Sequence, residues 1–135
     1  MKQMRLMSLL FLIIVFLLSI PANAKSILDE EHALNIMVSQ IQKDKLYDSW
    51  TSMDCLSFIT EEITKKYFDF AIHEKHGGAC PGDPDTTPIV DRFRVNRSTH
   101  KIQWLEPAEG EYLPYSAVLK VKREKKELLH NHRGE

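Results

Sequence analysis

The octapeptide Tyr67-Phe68-Asp69-Phe70-Ala71-Ile72-His73-Glu74 decides the fold. Phe68, Phe70 and Ile72 alternate with Tyr67, Asp69, Ala71 and His73, the period of a half-buried β-strand with its three large apolar side chains on one face. Cys55 to Ile63 has a similar aromatic and β-branched character and reads as the preceding strand, with Glu61-Glu62 and Lys65-Lys66 flanking the turn. Positions 52–66 also admit a continuing helix. Downstream, Ile89, Asp91, Phe93 and Val95 alternate with Val90, Arg92 and Arg94, and Lys101 to Leu105 follows closely enough to complete a hairpin. Its connection, Asn96-Arg97-Ser98-Thr99-His100, lacks glycine, so Asn96 or His100 is expected to take the positive φ. Asn96-Arg97-Ser98 also matches the short N-glycosylation acceptor pattern, which matters only in a eukaryotic source.

Upstream of these strands, Ile27, Leu28, Ala33, Leu34, Ile36, Met37, Val38 and Ile41 recur at helical spacing between Ser26 and about Leu46. Ser26 can cap this helix, and Asp29 to Glu31 place negative charge where the helix dipole favours it. Its apolar stripe needs a surface to lie on. The expected fold class is therefore α+β: an N-terminal amphipathic helix packed on a small antiparallel sheet. Pro114-Tyr115 can open a last short helix or strand through Val121, and the charged stretch 122–135 is expected to be a frayed tail.

At the extreme N-terminus, Lys2 and Arg5 lead into the apolar run Leu6 to Ile20, closed by Pro21-Ala22-Asn23-Ala24. A positive start, a short apolar core and an Ala-x-Ala site predict a secretory signal peptide at 1–24, followed by a single domain at 25–121. The alternative is an uncleaved membrane anchor, but the run is short for a bilayer span and is closed by Pro21, so cleavage is favoured and no stable membrane anchor is expected after it. The destination is the periplasm or the exterior. The formal net charge of −1 becomes more negative once Lys2 and Arg5 leave, which argues against a nucleic-acid partner.

Cys55 and Cys80 are the chain's two cysteines, and in an exported protein such a pair is expected to form a disulfide. They lack the Cys-x-x-Cys spacing of a reactive thiol pair. Cys80 stands inside His76-Gly77-Gly78-Ala79-Cys80-Pro81-Gly82-Asp83-Pro84-Asp85-Thr86-Thr87-Pro88, whose Gly and Pro content predicts an ordered surface loop between the second and third strands. A pinned loop on a rigid sheet is a common way to present a binding site, which makes Asp83 and Asp85 candidates. The alternative is a plain connection in which both carboxylates bond nearby amides.

The central third of the presumed mature chain resembles small exported bacterial proteins of unknown function. In those a Phe-x-Phe strand leads to a Glu-x-x-His-like segment, then Cys-x-Gly-Asp-Pro-x-Thr-x-Pro and an Asp-x-Phe/Tyr-Arg-Val strand. Here these are Phe68 to Phe70, Glu74 to His76, Cys80 to Pro88 and Asp91 to Val95. The resemblance implies a bacterial, periplasmic source and carries no reaction with it. His100 departs from the glycine expected at the turn.

Metal and catalytic readings are weak. His73-Glu74-Lys75-His76 is one residue short of His-Glu-x-x-His and lies in a strand context. Asp83 and Asp85 supply too few oxygens for calcium, and His130 and His132 offer only adventitious copper or nickel binding. No serine sits in a Gly-x-Ser-x-Gly turn, and His73 beside Asp69 or Glu74 makes only a chance acid–base pair. No cofactor is expected. Arg92 and Arg94, projecting from the face away from the core with Asp69 and His73, are suited to carboxylates; cross-strand ion pairs are the competing use. The leading expectation is a non-enzymatic binding module, an inhibitor or immunity-type protein acting on an exported enzyme, with Asp83, Asp85, Arg92 and Arg94 as binding residues and a protein partner in the cell envelope. The alternatives are a small envelope hydrolase using His73, Glu74 and His76, or an envelope structural factor.

Overall fold

The computed structural model describes residues 27–131. The expected signal peptide, the Ser26 cap, His132 and the last residues of the tail lie outside them. The described chain is α+β: helix α1 (Glu30–Lys43), a single 3-10 turn (Met53–Cys55), five strands β1 (Leu56–Ile63), β2 (Tyr67–Glu74), β3 (Ile89–Asn96), β4 (Ile102–Glu106) and β5 (Glu111–Pro114), then helix α2 (Tyr115–Asn131). The strands form one antiparallel meander in the order β1-β2-β3-β4-β5.

Helix α1 starts at Asp29, whose side chain accepts a hydrogen bond from the His32 backbone N–H at 2.9 Å. Glu30 and Glu31 in its first turn and Lys43 in its last complement the dipole. The helix closes when Lys45 turns into positive φ (51°), letting Leu46 N–H reach the Ile41 carbonyl at 3.2 Å. That left-handed closure ordinarily falls to glycine. Ala33, Met37 and Ile41, one turn apart, are fully buried in the cluster that also holds Phe68, Phe70, Ile72, Phe93, Val95 and Trp104.

The β2 alternation holds for Phe68, Phe70 and Ile72, and positions 56–63 form a strand and not a helix. The β1–β2 turn is fastened by Thr64, whose hydroxyl oxygen accepts from Tyr67 N–H at 2.8 Å. In the β3–β4 hairpin His100 carries the positive φ (59°), while Asn96 Oδ1 accepts from Ser98 and Thr99 N–H at 2.9 and 2.8 Å. Two features depart from simple alternation. A register shift between Ile72 and His73 puts an extra residue into β3, so Val90 packs against the core cluster and Ile89 is exposed. On the other sheet face Ala71 is fully buried and Asp69 only 7% exposed.

The expected frayed tail from Lys122 is corrected: α2 runs unbroken to Asn131. Val118 is fully buried, and the Tyr115 and Phe93 ring centroids are 6.0 Å apart, which anchors the start of the helix on the sheet. From there Lys, Arg, Glu and Leu continue it without a Gly or Pro, because propagation costs far less than initiation.

Candidate functional site

The Gly/Pro loop leaves β2 at Glu74 and returns at Ile89, and it is tied down at several points. Cys55 and Cys80 form the disulfide, with Cα atoms 5.5 Å apart. Gly77 and Cys80 exchange backbone hydrogen bonds at 3.0 and 3.1 Å. The loop also folds around His76, whose side chain is only 10% exposed. His76 Nδ1 donates to the Asp83 carbonyl at 2.9 Å, with Thr86 Oγ1 at the same distance, and Nε2 lies 3.3 Å from Glu74 Oε2. Gly82 makes this possible: at its φ of +113° a Cβ would stand 2.5 Å from the His76 ring. His73 Nδ1 donates to the Thr87 carbonyl at 3.0 Å. The motif that suggested a protease or hydrolase thus fastens the loop.

Asp83 belongs to the loop's own framework. Its Oδ1 accepts from Asp85 N–H at 3.0 Å, and its carbonyl accepts from Thr86 N–H at 3.0 Å. Asp83 therefore shapes the turn, and both it and Asp85 are exposed. The arginines are not brought to the loop. Arg92 Nε donates to Glu61 Oε2 at 2.8 Å across the sheet. Arg94 grips Asp69 through both Nε (3.1 Å) and Nη2 (2.9 Å), between the Tyr67 ring at 4.5 Å and the Tyr112 ring at 3.4 Å. Burial opposes the Arg94 charge, but the Asp69 carboxylate outweighs it and holds the guanidinium above its ordinary pKa. Both arginines are thus engaged in cross-strand pairs.

A second arrangement was not anticipated. Asp91, on the core face of β3, is buried and accepts from Tyr47 Oη (2.7 Å) and Trp104 Nε1 (2.7 Å), with Lys122 Nζ at 3.2 Å. Burial first, and then the Asp91 charge, push the Tyr47 phenol well above its ordinary pKa, so it stays a donor to the carboxylate. Above this network lies a groove of about 740 Å³ between α2 and the Ser49-Trp50 turn. Trp50 and Val90 supply its apolar wall, and Lys122, Lys125, Lys126 and His130 its polar, lysine-rich one. The signal was present in the spacing of Lys122, Lys126 and His130, four residues apart, but it has meaning only once the segment is helical.

Among the described residues no group of three or more His, Cys, Asp or Glu side chains converges to hold a metal ion, and no helix is long and apolar enough to cross a membrane. Comparison with protein-family models, with curated proteins and with solved structures finds no match for this chain.

Proposed function

We propose that this protein is an exported binding module of the bacterial envelope that acts by contact, as an inhibitor or immunity-type protein for an exported enzyme. The observation that carries this reading is the loop at 77–88, held by a disulfide, a backbone bridge and a largely enclosed histidine while its outer residues stay exposed. A loop ordered before binding loses little conformational entropy on association, which favours affinity. The disulfide accords with an oxidising compartment, and the Lys2-to-Ala24 pattern with export to the periplasm. His73, Glu74 and His76 are occupied in holding the loop, which weighs against the hydrolase alternative.

The test is capture of a stoichiometric partner from periplasmic extract by immobilised protein. Asp85→Lys is expected to weaken capture by about tenfold or more without changing the melting temperature, as reversal of an interfacial charge does. Asp83→Ala is expected to weaken it by altering loop shape. Hydrolysis of peptidoglycan, peptide or ester substrates that His73→Ala abolishes, with the fold intact, would overturn the binding reading.

A further inference from the structure

The groove above Asp91 has the chemistry of a small-ligand site, independent of the loop. Lys122, Lys126 and His130 follow one another at i, i+4 and i+8 along α2, so they share a face, with Lys125 beside them. The buried Asp91 carboxylate, which contacts Lys122 but does not line the groove, does not cancel the charges of Lys125 and Lys126. Asp91 is already matched by the Tyr47 hydroxyl, the Trp104 indole and the Lys122 ammonium. Of the acidic residues on the same part of the helix, Glu124 lies toward Lys120 at 3.9 Å, and neither it nor Glu127 lines the groove. The formally charged residues lining the groove are therefore Lys122, Lys125 and Lys126, with His130 beside them as a hydrogen-bonding side chain.

The facing wall is apolar and held in place. Trp50 is 45% exposed, yet its indole meets the buried Tyr47 ring edge-on, with centroids 6.0 Å apart and planes at 89°. Lys122 Nζ lies 5.3 Å from the centroid of that same Tyr47 ring, so both walls are anchored on one residue. Val90 reaches the groove because of the extra residue in β3. An indole surface, a branched aliphatic side chain and a row of cations match a molecule with an anionic head and an apolar body. A volume of about 740 Å³ lies in the range of small-molecule sites.

We propose that this groove binds a small amphiphilic anion, a carboxylate or phosphate monoester carrying an alkyl or aryl tail, with the head on Lys125, Lys126 and His130 and the tail on Trp50 and Val90. The test uses the full mature chain with octanoate, octyl phosphate and octyltrimethylammonium, each below its micelle concentration, and a Glu-rich peptide carrying one Phe. Binding is read by calorimetry and by the indole N–H resonances of the chain's two tryptophans. The expected result is saturable binding of one or both anions that shifts Trp50 more than Trp104 and weakens with added salt. Octanoate and octyl phosphate separate a carboxylate from a phosphate head. The exposed double variant Lys126→Gln/His130→Gln is expected to melt like wild type and to bind about tenfold more weakly or worse. Four results would each overturn the proposal: equal binding of the cationic amphiphile, anion binding unchanged in the double variant, shifts confined away from Trp50, or the acidic peptide occupying the groove while both alkyl anions fail to bind.

Discussion

Asp91 is a buried carboxylate with three side-chain partners. It joins a residue just past α1, the third strand, the fourth strand and the second helix, through Tyr47, Trp104 and Lys122. Removing it leaves a phenol and an indole N–H buried without their acceptor. Each such orphaned donor costs about 1–3 kcal/mol, whereas Lys122, 31% exposed at its side chain, can turn to water. Asp91→Ala is therefore expected to lower unfolding stability by about 3 kcal/mol, and Tyr47→Phe, which removes a donor and keeps the acceptor, by about 1 kcal/mol. Urea titration of both variants checks the ordering; equal losses would mean that the carboxylate is held by Lys122 alone. Little of this was legible in the chain. Asp91 falls on the inward side of the Ile89-to-Val95 alternation, but its partners lie 44, 13 and 31 residues away, and no local pattern announces a contact between such positions. Arg92 and Arg94 were legible as a pair on the other face; the Arg94 acceptor Asp69 follows directly from the β2–β3 register, whereas the Arg92 acceptor Glu61 sits at the register shift in β1 and does not.

Among the elements, α1 carries a pH-sensitive N-terminus. Hydrogen bonds donated to it by His32, first from the backbone N–H and then from the ring, hold the Asp29 carboxyl below its ordinary value of 3.8. In return, the ring's bond to Asp29, then the Asp29 charge, raise His32 above 6.5. Both groups are solvent-exposed, so the effect is modest and salt-sensitive. A depressed carboxyl adds stability above its unfolded pKa and loses it as pH falls through the folded one. A raised imidazole adds stability below its unfolded pKa and loses it as pH rises through the folded one. The cap therefore contributes most between about pH 3.8 and 6.5 and declines on either side. NMR titration is expected to place the His32 midpoint above 6.5, and Asp29→Asn to return it toward that value; no change in the variant would detach His32 from the cap. The strand periods were readable because each buried side chain declares itself every second residue. The second half of α2 was not, since Lys122 to Asn131 is polar and its helicity is inherited from a first turn anchored by Tyr115 and Val118.

For the whole molecule, the Cys55–Cys80 bridge links the entry of β1 to the loop between β2 and β3, and so couples global stability to the shape of the proposed binding surface. With the cysteines separated by 25 positions in sequence, the chain-entropy model gives a loss of about 3 to 4 kcal/mol on opening the bridge. That is a large share of a small domain's stability. The loop has a second set of ties, from His76 to Asp83 and Glu74 and from His73 to Thr87, that do not depend on sulfur. Two effects of reduction can therefore be separated. The urea midpoint of the Cys55→Ser/Cys80→Ser variant is expected to fall by an amount equivalent to about 3 to 4 kcal/mol. Amide exchange at Gly77 and Cys80 is expected to accelerate more than exchange at Phe70 or Phe93 under native conditions, because local opening then precedes global unfolding. Adding Gly82→Ala, which drives a Cβ into the His76 ring, should release the remaining ties and accelerate exchange at Thr86 as well. If the double-serine variant loses its stability with exchange rising uniformly across sheet and loop, the bridge acts on the unfolded chain alone. The preorganisation of the loop would then have to rest on His76.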